Sequence, residues 1–156
     1  MKSYIVIGLG RFGTEVARQL FKHGCEVLAI DRNPDIRFTF FLPPYHIYTY
    51  CLSEYYKEAD ALIAQRSAVL LELIKRPNVK VYDFQSDPRY VLHHDYFSDM
   101  QHFNNSAARK IIQDIASNRR RLVTPADVKA NEKELRTLII KTMPQFRAHL
   151  KQMEKK

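Results

Sequence analysis

The chain opens on an apolar run, Tyr4 to Ile7, that ends in Gly8, Gly10 and Gly13. Behind it Phe12, Val16, Ala17 and Leu20 recur at helical spacing, which predicts a helix over about 12–23 with one apolar face. Gly24 follows Lys22 and His23, a stop signal with basic residues in the last turn. Glu26 to Asp31 reads as a second strand. Asn33-Pro34 then breaks any regular element. The pattern resumes with a continuous apolar run, Ile36 to Leu42, which predicts a buried strand leading into Pro43-Pro44-Tyr45-His46. A long helical stretch is expected over Ser53–Lys75, a strand over Asn78–Phe84 and a helix over 104–118. Thr124-Pro125-Ala126-Asp127 has the signature of a helix start, with Thr as cap and Pro at the first helical position. Val128, Leu135, Leu138, Ile139, Met143, Phe146 and Leu150 form its apolar stripe over 125–154, with a break expected at Pro144. A stripe of this kind has to be covered, by its own sheet or by a second copy in a homodimer.

The first block has chemistry as well as a pattern. G-x-G-x-x-G between a strand and a helix, with an acid after the next strand, is the dinucleotide fingerprint in its required setting. Gly8 permits the tight turn, Gly10 leaves the backbone open to a pyrophosphate, and Gly13 lets helix and strand pack closely. The helix start offers free N–H groups and the positive end of its dipole to an anion. Asp31 stands where a carboxylate accepts bonds from ribose hydroxyls, and Arg32 follows it. The alternative is a glycine-rich turn without a ligand.

Residues 1–35, with the Gly-Leu-Gly-Arg-Phe-Gly core and Val-Leu-Ala-Ile-Asp, resemble the start of the RCK/KTN regulatory domains of potassium uptake systems. The resemblance implies a nucleotide, NAD(H) or ATP/ADP, with Gly8, Gly10, Arg11, Phe12 and Gly13 as the phosphate loop and Asp31 on the ribose. It also implies a membrane transporter subunit as partner. The third and fourth strands of that family are not found after Asp35.

From Ile36 to about residue 118 the order of elements resembles the C-terminal half of SGNH-type hydrolases, those related to alginate acetylation and teichoic-acid alanylation. The last catalytic block of that family, D-x-x-H, corresponds to Asp99-Met-Gln-His102. The resemblance implies His102 as general base, oriented by Asp99. The nucleophilic serine is missing: the loop after the first strand has none, Thr14 falls in a helical turn, Ser3 precedes the strand, and Ser98 shares the loop of the pair. An acyl-transfer site without its nucleophile loses most of its acceleration. The expectation is therefore no enzyme, with a local hydrogen bond between Asp99 and His102. Two resemblances on one chain are those of a fusion joined near Arg32–Ile36, or of a designed α/β protein with no ligand.

Composition changes this picture little. One domain suits 156 residues. No apolar run approaches a membrane span and no signal peptide is evident, so a cytoplasmic location is expected. Cys25 and Cys51 supply neither a disulfide framework nor a metal spacing. His93, His94, Asp95, Asp99 and His102 are metal-compatible residue types without helical pairing, and no metal is expected. The net charge of +8 raises nucleic-acid binding, yet the basic residues are dispersed apart from Arg119-Arg120-Arg121 and the terminal lysines. A solvated surface accounts for them, with the arginine run as cations near a helix C-terminus, and no specific nucleic acid is expected. Tyr45, Tyr48, Tyr50, Tyr55 and Tyr56 are expected to cover a sheet edge and a helix start rather than line a groove.

The fold class expected is α/β: a three-layer, Rossmann-like or flavodoxin-like, mostly parallel sheet of four strands at about 3–8, 26–31, 36–42 and 78–84. Residues 1–122 would form the domain and 123–156 a C-terminal amphipathic helix. The phosphate loop and the Asp99/His102 loop are both expected at the carboxyl ends of the strands, where ligands bind in such sheets.

Overall fold

A computed structural model describes residues 3–7, 15, 18–19, 22, 26–30 and 37–154. The chain divides into two compact units, Met1–Ile36 and Arg37–Lys156. In the first, strands β1 (Ser3–Ile7) and β2 (Glu26–Ile30) pair in parallel, from Ser3 opposite Glu26 to Ile7 opposite Ile30. Glu15, Arg18, Gln19 and Lys22 are helical. A helix between two parallel strands is the crossover such pairing requires. Glu15 accepts hydrogen bonds from Arg18 at 2.5 Å and Gln19 at 2.6 Å, one helical turn away.

The second unit has its own sheet, β3 (Phe38–Leu42), β4 (Val79–Asp83) and β5 (Arg121–Leu122), in that order. β3 and β4 are parallel, with Phe38 opposite Val79 and Leu42 opposite Asp83. β5 runs antiparallel to β4. Among the described residues the strands thus make a parallel pair and a mixed three-stranded sheet, instead of the four-stranded sheet the pattern predicts. β5 starts in the arginine run, expected only as cations near a helix C-terminus. Asn118 and Arg120 both take positive φ, 53° and 63°. The chain therefore turns back within a few residues of the preceding helix, which brings Arg121 opposite Tyr82 of β4. Among the described residues β3 lies at the edge of its sheet, not buried as its apolar run suggests: Phe41 is 42% exposed.

Helices α1 (Ile47–Tyr55) and α2 (Ala59–Leu73) replace the single helix expected over 53–75. Lys57, at φ 61°, interrupts them. α1 begins earlier than expected because His46 caps it, its Nδ1 accepting from the Tyr48 N–H at 3.2 Å. After β4 come the short helix α3 (Pro88–Val91), a 3-10 turn (His94–Tyr96), α4 (Asn105–Ala116) and α5 (Pro125–Met153). Asn104 caps α4 through bonds from the Ser106 and Ala107 N–H groups. Thr124 and Asp127 form a reciprocal capping box on α5.

α5 runs through Pro144 without the expected break. The carbonyl that a proline at this position leaves without a helical partner belongs to Ile140, which is 73% exposed, so water can satisfy it. The apolar stripe of α5 packs on its own chain. Leu135, Ile139 and Phe146 join Ile47, Tyr50, Cys51, Ile63 and Val91 in one core. A smaller core, Tyr82, Phe84, Tyr90 and Ile111, holds α4. Successive residues of a strand face opposite ways, so Tyr82 belongs to that core while Val81 and Asp83 face the other side.

Candidate functional site

The glycine loop and its acid lie outside the described residues: Gly8, Gly10, Arg11, Phe12, Gly13, Asp31 and Arg32 receive no structural account. The expected shared position of this loop and the Asp99/His102 loop therefore has one member without a description.

The Asp99/His102 loop is described in full. A bridge between Phe97 and Phe103 closes it, and the Ser98 N–H donates to the His102 carbonyl at 2.8 Å. Inside, Asp99 Oδ1 accepts from the Gln101 and His102 N–H groups, each at 2.7 Å, and Oδ2 meets His102 Nδ1 at 2.7 Å. The two backbone bonds and the imidazole together pull the Asp99 carboxyl down to about 2. Both side chains are exposed, His102 at 78%. The spacing thus brings the expected pair into contact, as a local turn at the surface. Among the described residues no serine hydroxyl bonds to the His102 ring. The Met100 carbonyl accepts from the His46 N–H at 3.0 Å and the Thr49 hydroxyl at 2.7 Å, which ties the loop to the start of α1 just after β3.

Beside this loop is a cleft of about 520 Å³ that the sequence pattern did not single out. His46, His94 and His149 line it with Tyr48, Phe97, Asp99 and Met100, and Leu52, Phe146, Leu150 and Met153 add an apolar wall. The His46 and His94 rings lie 4.5 Å apart, and Tyr48 is 5.7 Å from His149. His46 is 5% exposed, and its Nε2 is buried without a hydrogen-bond partner. Burial, and secondarily His94, lower its pKa to about 4, so the ring is neutral near pH 7. Its Nδ1 accepts from Tyr48, so the neutral ring carries its proton on Nε2. Of the tyrosines, Tyr48 reaches this cleft, Tyr50 enters the core, and Tyr55 and Tyr56 are 50% and 64% exposed. The expected reading, a covering of sheet edge and helix, leaves out Tyr48. His93 stacks on Tyr96 at 4.4 Å instead. Among the described residues no three His, Cys, Asp or Glu side chains stand where they could hold a metal ion.

A second cluster sits at the carboxyl end of β4. Asp83 is fully buried and accepts from Arg66, from the Asn131 amide at 2.7 Å and from the Ser86 hydroxyl at 3.2 Å. Arg120 donates to the Asp83 carbonyl at 3.1 Å and to Glu134 at 3.0 Å. Arg120 follows the C-terminus of α4 as the arginine run was expected to, but it is an internal connector. Nearby, Arg89 joins Asp87 and Asp114, chiefly Asp87, which raises its pKa further. Every principal acceptor of the cluster is occupied from within. The cluster ties α2 and α5 to the sheet, and Arg66 Nη1 is its one buried donor without a partner among the described residues. Cys51 is buried in the core, and burial pushes its thiol up to about 11, so it is no nucleophile.

The match to a known family covers most of the first unit and runs into the start of β3. A family model of the TrkA-N domain matches residues 4–39. No curated protein and no solved structure matches the chain. The SGNH-like resemblance of residues 36–118 therefore gains no support. The TrkA-N match takes in β1, β2, the glycine loop and Asp31. Among the described residues no helix is long and apolar enough to cross a membrane.

Proposed function

We propose that residues 4–39 are the nucleotide-binding start of an RCK-type regulatory module and that the chain binds an adenine nucleotide, NAD(H) or ATP/ADP. The TrkA-N match carries the reading. The parallel β1–β2 pair, with helical residues between its strands, is the frame in which the glycine loop works. In this reading the Gly8–Gly13 loop takes the phosphates through backbone N–H groups, Asp31 takes the ribose, and a potassium-transporter subunit on the cytoplasmic side is the partner.

Titrating the full chain with NADH, ATP and ADP, followed by thermal shift and NADH fluorescence, tests it. A ligand of the folded state at a hundred times its Kd stabilises by about 2.7 kcal/mol. Gly10→Glu places a side chain and a like charge where the phosphates would lie and is expected to abolish the shift. No shift with any nucleotide at millimolar concentration overturns the reading.

A second reading rests on the 2.7 Å contact of His102 with Asp99. A carboxylate-held imidazole with its other nitrogen in solvent is the base half of a hydrolase. Without a serine the expectation is no ester hydrolysis. Hydrolysis of p-nitrophenyl acetate that vanishes in His102→Ala would establish the base.

A further inference from the structure

The cleft beside α1 offers hydrogen-bond acceptors and no fixed cation. Asp99, the carboxylate in its lining, is kept ionised by three bonds: the Gln101 and His102 N–H groups on Oδ1 and the His102 ring on Oδ2. A carboxylate has about four lone-pair positions, so Oδ2 keeps one without a donor among the described residues. The side chain is 58% exposed and open to a ligand. His94 and His149 add imidazoles, each with an acceptor nitrogen when neutral. Among the described residues no lysine or arginine lines the space. A bare metal ion does not fit, because among those residues no three His, Cys, Asp or Glu side chains stand where they could hold one. An organic cation does. The volume of about 520 Å³ lies within the roughly 300–1,000 Å³ of small-molecule sites. Leu52, Phe146, Leu150 and Met153 form an uncharged wall that suits a hydrocarbon body. Tyr48 and Phe146, with ring centroids 5.2 Å apart, add aromatic surface, whose faces attract cations. The chain's net charge of +8 acts from farther away than Asp99, and beyond a Debye length of about 8 Å it is largely screened.

We propose that this cleft binds a protonated organic amine, its ammonium donating to Asp99 Oδ2 and its hydrocarbon lying against Leu52, Phe146, Leu150 and Met153. The site lies within the second unit and is separate from the nucleotide reading. It shares Asp99 with the hydrolase reading but requires no hydrolysis, so either can fail alone. A small polar amine would forgo the wall, and a neutral or anionic amphiphile would forgo Asp99.

Octylammonium, below its micellar concentration, is the probe, titrated into the full chain by calorimetry and by the NMR signals of the methionine methyl groups. At about pH 8.5 an aliphatic ammonium is still charged and ordinary imidazoles are neutral. Met100 and Met153 line the cleft and Met143 does not, so saturable binding with the largest shifts at the first two is expected. Octanoate, with the same kind of tail and an anionic head, should bind at least tenfold more weakly. Asp99→Asn keeps an oxygen for the Gln101 and His102 N–H groups and removes the charge. It should weaken octylammonium about three- to tenfold, the size of a charged hydrogen bond near the surface, and narrow its lead over octanoate. From butylammonium to octylammonium, affinity should rise about three- to fourfold for each methylene the wall covers. Absence of saturable octylammonium binding overturns the proposal, as does equal affinity for octanoate, or binding indifferent to Asp99→Asn or to chain length.

Discussion

The Asn131 side-chain amide donates to Asp83 Oδ2 at 2.7 Å and so joins α5 to the end of β4 across 48 residues of chain. Arg66 reaches the same oxygen from α2. One buried carboxylate thus holds two helices against the sheet. Asp83→Ala leaves the buried Arg66 guanidinium without its counter-charge, an uncompensated charge that costs about 3–5 kcal/mol. Asn131→Ala removes a donor and leaves Arg66 paired, so about 1–2 kcal/mol is expected. Urea unfolding followed by near-ultraviolet dichroism reads this unit, because every tyrosine except Tyr4 belongs to it. An Asp83→Ala protein within 1 kcal/mol of the parent would show that the cluster does not hold the helices.

The pH dependence of stability should carry a histidine signature. His46 titrates near 6.5 in the unfolded chain and near 4 in the folded one. Its folded pKa is depressed, so its contribution is complete above about pH 6.5 and is lost as pH falls toward 4. Within that window the unfolded chain takes up a proton that the folded chain refuses. The loss amounts to up to about 3 kcal/mol. Carboxylates add their own slope at lower pH, so the test is a difference. His46→Asn should flatten the curve between pH 6.5 and 4 relative to the parent, and parallel curves would remove His46 from the account.

Strands, the Thr124 cap and the bounds of α4 and α5 were legible because they are local. Alternating and continuous apolar runs located β1 to β4, and Thr124-Pro125 located the start of α5 within a residue. Asp99-Met-Gln-His102 was legible as a pair because three residues on a turn bring the two side chains together. The misses are non-local or conformational. Nothing in the pattern says that His46, His94 and His149 meet, since they come from a cap, a 3-10 turn and the last helix. Nothing marks Arg120 as internal, since its partners Asp83, Ser86 and Glu134 lie 14 or more residues away. β5 went unread because it is two residues long and takes its pairing from the two positive-φ residues before it.

Lys57 is the clearest conformational case. Its positive φ separates α1 from α2 where helical periodicity continues through Glu58. A side chain in that region costs about 1–2 kcal/mol that glycine does not incur, partly offset by glycine's greater freedom in the unfolded chain. Lys57→Gly is therefore expected to raise stability by about 0.5–1 kcal/mol, and Lys57→Val to lower it. Denaturant midpoints check both. A Lys57→Gly protein less stable than the parent would mean that the helices are held apart by something other than this turn.

The tautomer of His102 reports on the Asp99 pair without any need for activity. Asp99 Oδ2 is an acceptor 2.7 Å from Nδ1, and its carboxyl stays ionised down to about pH 2. The neutral ring should therefore carry its proton on Nδ1 and leave the Nε2 lone pair to solvent, the form a general base requires. Nitrogen-15 shifts at alkaline pH read this directly. Asp99→Ala should move the ring to a mixture of tautomers. Asp99→Asn also changes the pair, because the amide can present either oxygen or nitrogen to the ring. Asp99→Ala also removes the two backbone bonds of the turn, so the tautomer, and not the unfolding midpoint, is the readout. If the parent already shows the mixed tautomer, the contact is too weakly populated to orient a base. The hydrolase reading would then lose the one observation that favours it.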